Sequence, residues 1–143
     1  MDLKKNLQNA IEFHKKGDFN KAKNIYEEIL KSNPELPEIN HNLGILLKSM
    51  DKLDEAERRF AKAISLKSDF VHAHYHMGNT KYKLKKFDES EHSYKKAISL
   101  NPKFIEAYIN LSRAQRELGR LGEAEENARI ALKLNPDFAD ANN

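Results

Sequence analysis

The sequence contains no cysteine, so disulfides, thiolate metal ligands and cysteine nucleophiles are all excluded. It has no apolar run approaching the roughly 18 residues that a membrane-spanning helix needs. Its first thirty residues lack the continuous apolar stretch of a secretory signal. The five glycines fall in no G-x-x-x-x-G-K, G-x-G-x-x-G or G-x-S-x-G arrangement, so neither a phosphate cradle nor a nucleophile elbow is present. Linkers, low-complexity tracts and strand-like alternation are missing too. Neither sign of charge dominates: 25 Lys and Arg face 22 Asp and Glu, a net charge of +3 that is too weak to argue for nucleic acid. These absences predict a cytoplasmic, non-enzymatic protein with no cofactor, no membrane association and no nucleic-acid partner.

What is present is a repeat. VHAHYHMGNTKYKLKKFDESEHSYKKAISLNPKF, residues 71–104, returns in outline when shifted by 34 residues either way. KAISL at 96–100 matches KAISL at 62–66, and NPKF at 101–104 answers to NPEL at 33–36, KSDF at 67–70 and NPDF at 135–138. A period of this size predicts stacked supersecondary units. The chain divides into 3–36, 37–70, 71–104 and 105–138, with 139–143 reading as the start of a further, truncated repeat. Each unit reads as two helices around a tight turn; in the second, Ile39, Leu43, Leu46 and Leu47, then Leu53, Ala56, Phe60, Ala63 and Ile64, recur at helical spacing. Gly17 and Gly119 suit a positive-φ helix end, and Asp51 and Asp54 suit a helix start. Pro34, Pro102 and Pro136 stop the second helices, with Ser68 replacing proline in unit two. The expected fold class is an all-α, helix-turn-helix solenoid in a single array over 3–138.

The residues at fixed repeat positions carry a family resemblance. Leu43-Gly44, Ala56, Phe60 and Ala63 in unit two, with Met77-Gly78, Tyr82, Tyr94, Ala97 and Pro102 in unit three, resemble the tetratricopeptide repeat (TPR). Unit four keeps Tyr108, Leu111, Gly119, Ala124, Ala131 and Pro136, and unit one keeps Ala10, Phe13, Gly17, Ala22, Tyr26 and Pro34. Small residues let helices approach and aromatics fill the space beside them. Departures are Lys81, Ser90 and Ala128, where a large apolar residue, alanine and an aromatic are usual. The resemblance implies a right-handed superhelix of four repeats, whose first helices line a concave groove and whose second helices form a solvated outer side. On that reading the many glutamates of the second helices, Glu89 and Glu91 among them, serve solubility and helix pairing.

The same register places residues in rows across the groove. One row reads Leu7, His41, Tyr75, Ile109 and the next Gln8, Asn42, His76, Asn110; then come Ile11, Ile45, Asn79, Arg113 and finally His14, Lys48, Tyr82, Arg116. The second row resembles the asparagine ladder of O-GlcNAc transferase TPRs, although asparagine is common at this place in TPRs generally. A primary amide offers donor and acceptor together and so matches a peptide group. Lys48, Lys83, Arg113 and Arg116 gather cations at one rim, beside Tyr75 and Tyr82, which suits an acidic segment. The expected peptide-binding set is His41, Asn42, Lys48, Tyr75, His76, Asn79, Tyr82, Lys83, Asn110, Arg113 and Arg116. The carboxylate clamp of chaperone-binding TPRs is matched only by Asn42 when units one to three are used. His72 and His76 share a helix face at i and i+4 but need a third ligand to hold zinc, so they read as groove-lining polar residues, and His74 as a packed ring in the slot of Tyr108.

The function expected from these residues is a non-enzymatic protein-interaction module that takes an extended peptide or a partner helix in the groove. The alternative is the substrate-recruiting arm of a larger enzyme, such as a glycosyltransferase, with catalysis outside these residues. Leu121, Ala124, Ala128, Ala131 and Leu132 give the last helix an apolar side, which predicts either a homodimer through the C-terminal repeat or a frayed final helix.

Overall fold

The computed structural model describes residues 2–137. The chain runs through α1 (Leu3–Lys16), α2 (Phe19–Ser32), α3 (Pro37–Ser49), α4 (Leu53–Leu66), α5 (Val71–Lys83), α6 (Phe87–Leu100), α7 (Ile105–Glu117) and α8 (Leu121–Leu134), with no strand among the described residues. The first helices begin at residues 3, 37, 71 and 105 and the second at 19, 53, 87 and 121, so both series keep the 34-residue period. The suggested further repeat at 139–143 lies outside the described residues.

The turns inside the pairs are built alike. Residues 17, 51, 85 and 119 all adopt positive φ, between 60° and 83°. In each turn that residue's amide bonds the carbonyl three back, and the next amide bonds the carbonyl five back, as in Gly119 N to Arg116 O at 3.0 Å and Arg120 N to Gln115 O at 2.8 Å. Glycine takes this conformation without strain at 17 and 119. Asp51 does not start α4, as its side chain suggested; it is the left-handed residue closing α3, and Lys52 precedes α4 with no side-chain cap. Asp54 does lie in the first turn of α4, near the positive end of the helix dipole. Second helices end at Asn33, Lys67, Asn101 and Asn135, the last three in extended backbone, and all but Lys67 stand directly before a proline. α4 ends at the same place with Ser68 in that slot, so proline is not required for the stop.

Two compact units are present, Met1–Phe70 and Val71–Asn143. In the first, α1 packs on α2, α2 on α3 and α3 on α4; in the second, α5 packs on α6, α6 on α7 and α7 on α8, and α5 also touches α7. The core of the first is Ala10, Ala22, Tyr26, Ile29, Leu43, Leu46, Leu47, Ala56, Phe60 and Ala63, all buried. The second buries Ala73, Met77, Tyr94, Ala97, Ala107, Leu111, Ala114, Ala124 and Ala131. Gly44 and Gly78 mark the closest approaches: a Cβ there would sit 2.7 Å from the Phe60 ring and 2.6 Å from the Tyr94 ring. Ser90 fits an alanine slot because its hydroxyl donates to the Gly78 carbonyl at 2.8 Å. Lys81, also out of pattern, is buried with its Nζ 3.0 Å from Glu89 Oε1. On α8, Ala124 and Ala131 face inward, whereas Leu121, Leu132 and Leu134 remain exposed.

Candidate functional site

The second unit gathers most of the expected site residues on α5 and α7, where the floor is aromatic. Tyr94 of α6 is buried against Leu111 and Ala114, with Tyr75 and Tyr82 packed on the same cluster. The Tyr75 ring lies 4.7 Å from that of Phe104 and 6.0 Å from that of Tyr94, and Tyr82 meets Phe87 edge-on at 5.3 Å. Burial raises the Tyr94 hydroxyl's pKa well above the ordinary tyrosine range, so that group acts as a fixed donor.

A hydrogen-bonded chain runs over this floor. Tyr94 donates to Asn79 Oδ1 at 2.5 Å, and Asn110 Nδ2 donates both to the same oxygen and to the Tyr75 hydroxyl, each at 3.0 Å. Arg113 Nη1 approaches Asn110 Oδ1 at 3.4 Å. Counting donors and acceptors then separates the two amides of this face. Both Asn110 donors and one acceptor site are engaged, whereas Asn79 has its oxygen doubly occupied and its two N–H groups without a partner among the described residues. Arg113 keeps most of its donors, and Lys83 and Arg116 are exposed. The face therefore presents donors and few acceptors. His76 is half-buried with its ring 5.2 Å from Tyr75.

In the first unit, His41 is buried and spent on packing, with its ring 4.7 Å from Phe70 and 5.8 Å from Phe60. Asn42 and Lys48 are half-buried, and Asn42 makes no hydrogen bond among the described residues, so its amide keeps both functions. His14 Nε2 lies 3.2 Å from Ser49 Oγ, but that hydroxyl donates to Ile45 O, also at 3.2 Å. The serine thus offers the histidine a lone pair rather than a proton, the opposite polarity from an activated nucleophile. His72 is exposed, its ring 5.4 Å from Phe104, and His74 is buried. Tyr108, in the slot corresponding to His74, donates to Pro102 O at 2.9 Å. Among the described residues no three His, Asp or Glu side chains gather closely enough to hold a metal ion.

One reading of the second-helix glutamates needs correction. Glu91 is buried rather than solvated. It accepts from Arg120 and, at 3.1 Å, from Gln115, while Lys95 approaches at 3.8 Å. Gln115, itself buried, accepts from Asn127 at 2.7 Å and donates to Glu123 at 3.3 Å. The cluster ties α6, α7 and α8 together through polar groups. Burial alone raises the Glu91 pKa, but the hydrogen bonds from Arg120 and Gln115 and the nearby cations outweigh it and leave the carboxyl below its usual range. The sequence signal that was available is Gln115 on an otherwise apolar stripe, since a buried amide requires partners.

Among the described residues no helix is long and apolar enough to cross a membrane. Models of the tetratricopeptide repeat match residues 13–77, 71–104 and 93–126. No curated protein matches the sequence. Solved structures match in fold. MamA 41-end from Desulfovibrio magneticus RS-1 has a TM-score of 0.87 at 21% identity, over 93% of this chain and 75% of that one. The first TPR of Spaghetti (RPAP3) bound to the HSP90 peptide SRMEEVD has a TM-score of 0.78 at 21% identity, over 80% and 90%. YrrB, a TPR protein with an unusual peptide-binding site, has a TM-score of 0.82 at 19% identity, over 90% and 66%. With helix pairs at a 34-residue period and small residues seated under aromatic rings, the chain belongs to the tetratricopeptide repeat family.

Proposed function

We propose that this chain is a non-enzymatic protein-interaction module whose first helices hold an extended, acidic segment of a partner protein. The observation that carries the reading is the donor-rich face of α5 and α7. Asn79 retains two N–H groups beside the Arg113 guanidinium, over a floor of Tyr75 and Tyr82. Carboxylates accept such donors in charge-assisted bonds about twice as strong as neutral ones. His76, Lys83, Asn110 and Arg116 complete this set. In the first unit the same reading assigns Asn42 to the peptide backbone, Lys48 to acidic side chains and His41 to the apolar floor. The structural neighbours supply a parallel, since the RPAP3 domain was solved with the acidic peptide SRMEEVD. Random-peptide display on the immobilised chain tests the reading. Enrichment of Asp- and Glu-containing sequences that fail on Asn79→Ala/Arg113→Glu protein is the expected result; enrichment indifferent to those changes would refute it.

Self-association is a second part of the proposal, supported by the exposed Leu121 and Leu132, which share one face of α8. An apolar helix side of this kind is suited to a second copy of itself.

A further inference from the structure

The first unit carries a second cleft, built from α2, α3 and α4 and separate from the residues assigned above. Its volume is about 670 Å³. The floor is apolar: Leu30 and the exposed Pro34 line it, over Leu43 and Leu47, which are almost entirely covered. The rim is charged and unbalanced. Lys31 is matched by Glu28 and Glu27 by Lys23, each pair at 3.4 Å. That leaves Arg58, Arg59 and Lys62 lining the cleft against the single carboxylate of Glu55.

Arg59 is held in place. Its Nη1 donates to Asn40 Oδ1 at 3.2 Å, and Asn40, fully buried, donates to Leu36 O at 3.0 Å and Pro34 O at 3.3 Å. The asparagine is thereby locked on two backbone carbonyls and presents its one remaining acceptor to the guanidinium. The other repeats show that this pairing is specific to the second one. Where Arg59 stands, they have Ile25, Ser93 and Asn127; where Asn40 stands, unit four has Tyr108, whose hydroxyl makes the corresponding bond to Pro102. A small amide in place of an aromatic frees room for the guanidinium and orients it. A guanidinium fixed at one N–H keeps other donors in a rigid fork that matches a carboxylate.

We propose that this cleft docks an acidic amphipathic segment of a partner protein, with an apolar side chain over Leu30 and Pro34 and a carboxylate on Arg59. Charge complementarity selects the occupant, because three cations and one anion around an apolar floor favour a ligand that is both apolar and negative. A cleft flanked by exposed helix residues suits a helix laid in a groove better than an enclosed small molecule. This surface is independent of the α5–α7 reading, and either can fail alone.

The test titrates ¹⁵N-labelled protein with the blocked peptide EELLEELFEE and its basic counterpart KKLLKKLFKK. The acidic peptide is expected to shift the Arg59 Nε–H signal and the amides of α2 and α4, and the basic peptide to leave them unmoved. Arg59→Gln should weaken binding by about tenfold, the loss of one charge-assisted hydrogen bond. Arg58→Glu/Lys62→Glu, at exposed positions that fold independently of the Asn40 contact, should weaken it as well. Absence of saturable shifts on α2 and α4, equal binding of the basic peptide, or binding unchanged in both variants would overturn the proposal. Shifts confined to α5 and α7 would overturn it while leaving the first-helix reading in place.

Discussion

At the scale of single residues, the fold depends on a few contacts with no room to spare. Gly78 is one, because a methyl group there would press on the Tyr94 ring at 2.6 Å while the hydroxyl of that ring is tied to Asn79. Gly78→Ala should therefore destabilise the chain by about 1–3 kcal/mol, the usual cost of overpacking, as read from urea unfolding. The amide signals of Asn79 should shift with it. Glu91 is a second such residue. Its folded pKa is lower than its unfolded one, so its stabilisation is present above the unfolded value and is lost as pH falls through the folded one. Glu91→Gln should accordingly remove part of the pH dependence of stability on the acid side of the normal carboxylate range. Acid titrations followed by circular dichroism check this, and identical profiles for the two proteins would refute it.

Helices and turns were the most legible level, and for a physical reason. The periods of Ala, Gly and aromatic residues follow from helix packing, which the chain repeats four times, so each unit checks the others. The glycines at 17 and 119 revealed the turn geometry, but Asp51 and Lys85 adopt the same left-handed backbone without glycine's freedom. Their side chains concealed the turn, and Asp51 even mimicked a helix start. Replacing either by glycine should relieve strain and stabilise the chain by roughly 0.5–1 kcal/mol, after glycine's own entropic cost is deducted from the left-handed penalty. Thermal unfolding measures it, and a loss of stability in both variants would refute it. The candidate site was legible as a set of positions but not as chemistry. Sequence register offers Asn42, Asn79 and Asn110 as groove-lining amides, with Asn79 one row away from the other two; the hydroxyls of Tyr75 and Tyr94 and the contact between Asn79 and Asn110 determine which amide retains free donors. Glu91 was misread for the same reason, since its partners Gln115 and Arg120 are 24 and 29 residues away.

For the molecule as a whole, two modes of association follow. Leu121 and Leu132, eleven residues apart, share a face of α8 and are both exposed, so sedimentation over a concentration range should show reversible dimerisation that Leu121→Lys/Leu132→Lys abolishes. A strictly monomeric wild-type chain would remove that part of the proposal. The central claim concerns the first helices of the second unit. The measurement that bears on it most directly is the side-chain NMR signal of Asn79 during titration with an acidic peptide selected by display. The Asn79 Nδ2 and Arg113 Nε signals are expected to shift together and saturate, while those of Asn110, already bonded on both sides, move little. Binding should also weaken as salt shortens the screening length below about 8 Å. A saturating peptide that leaves Asn79 and Arg113 unmoved would contradict it.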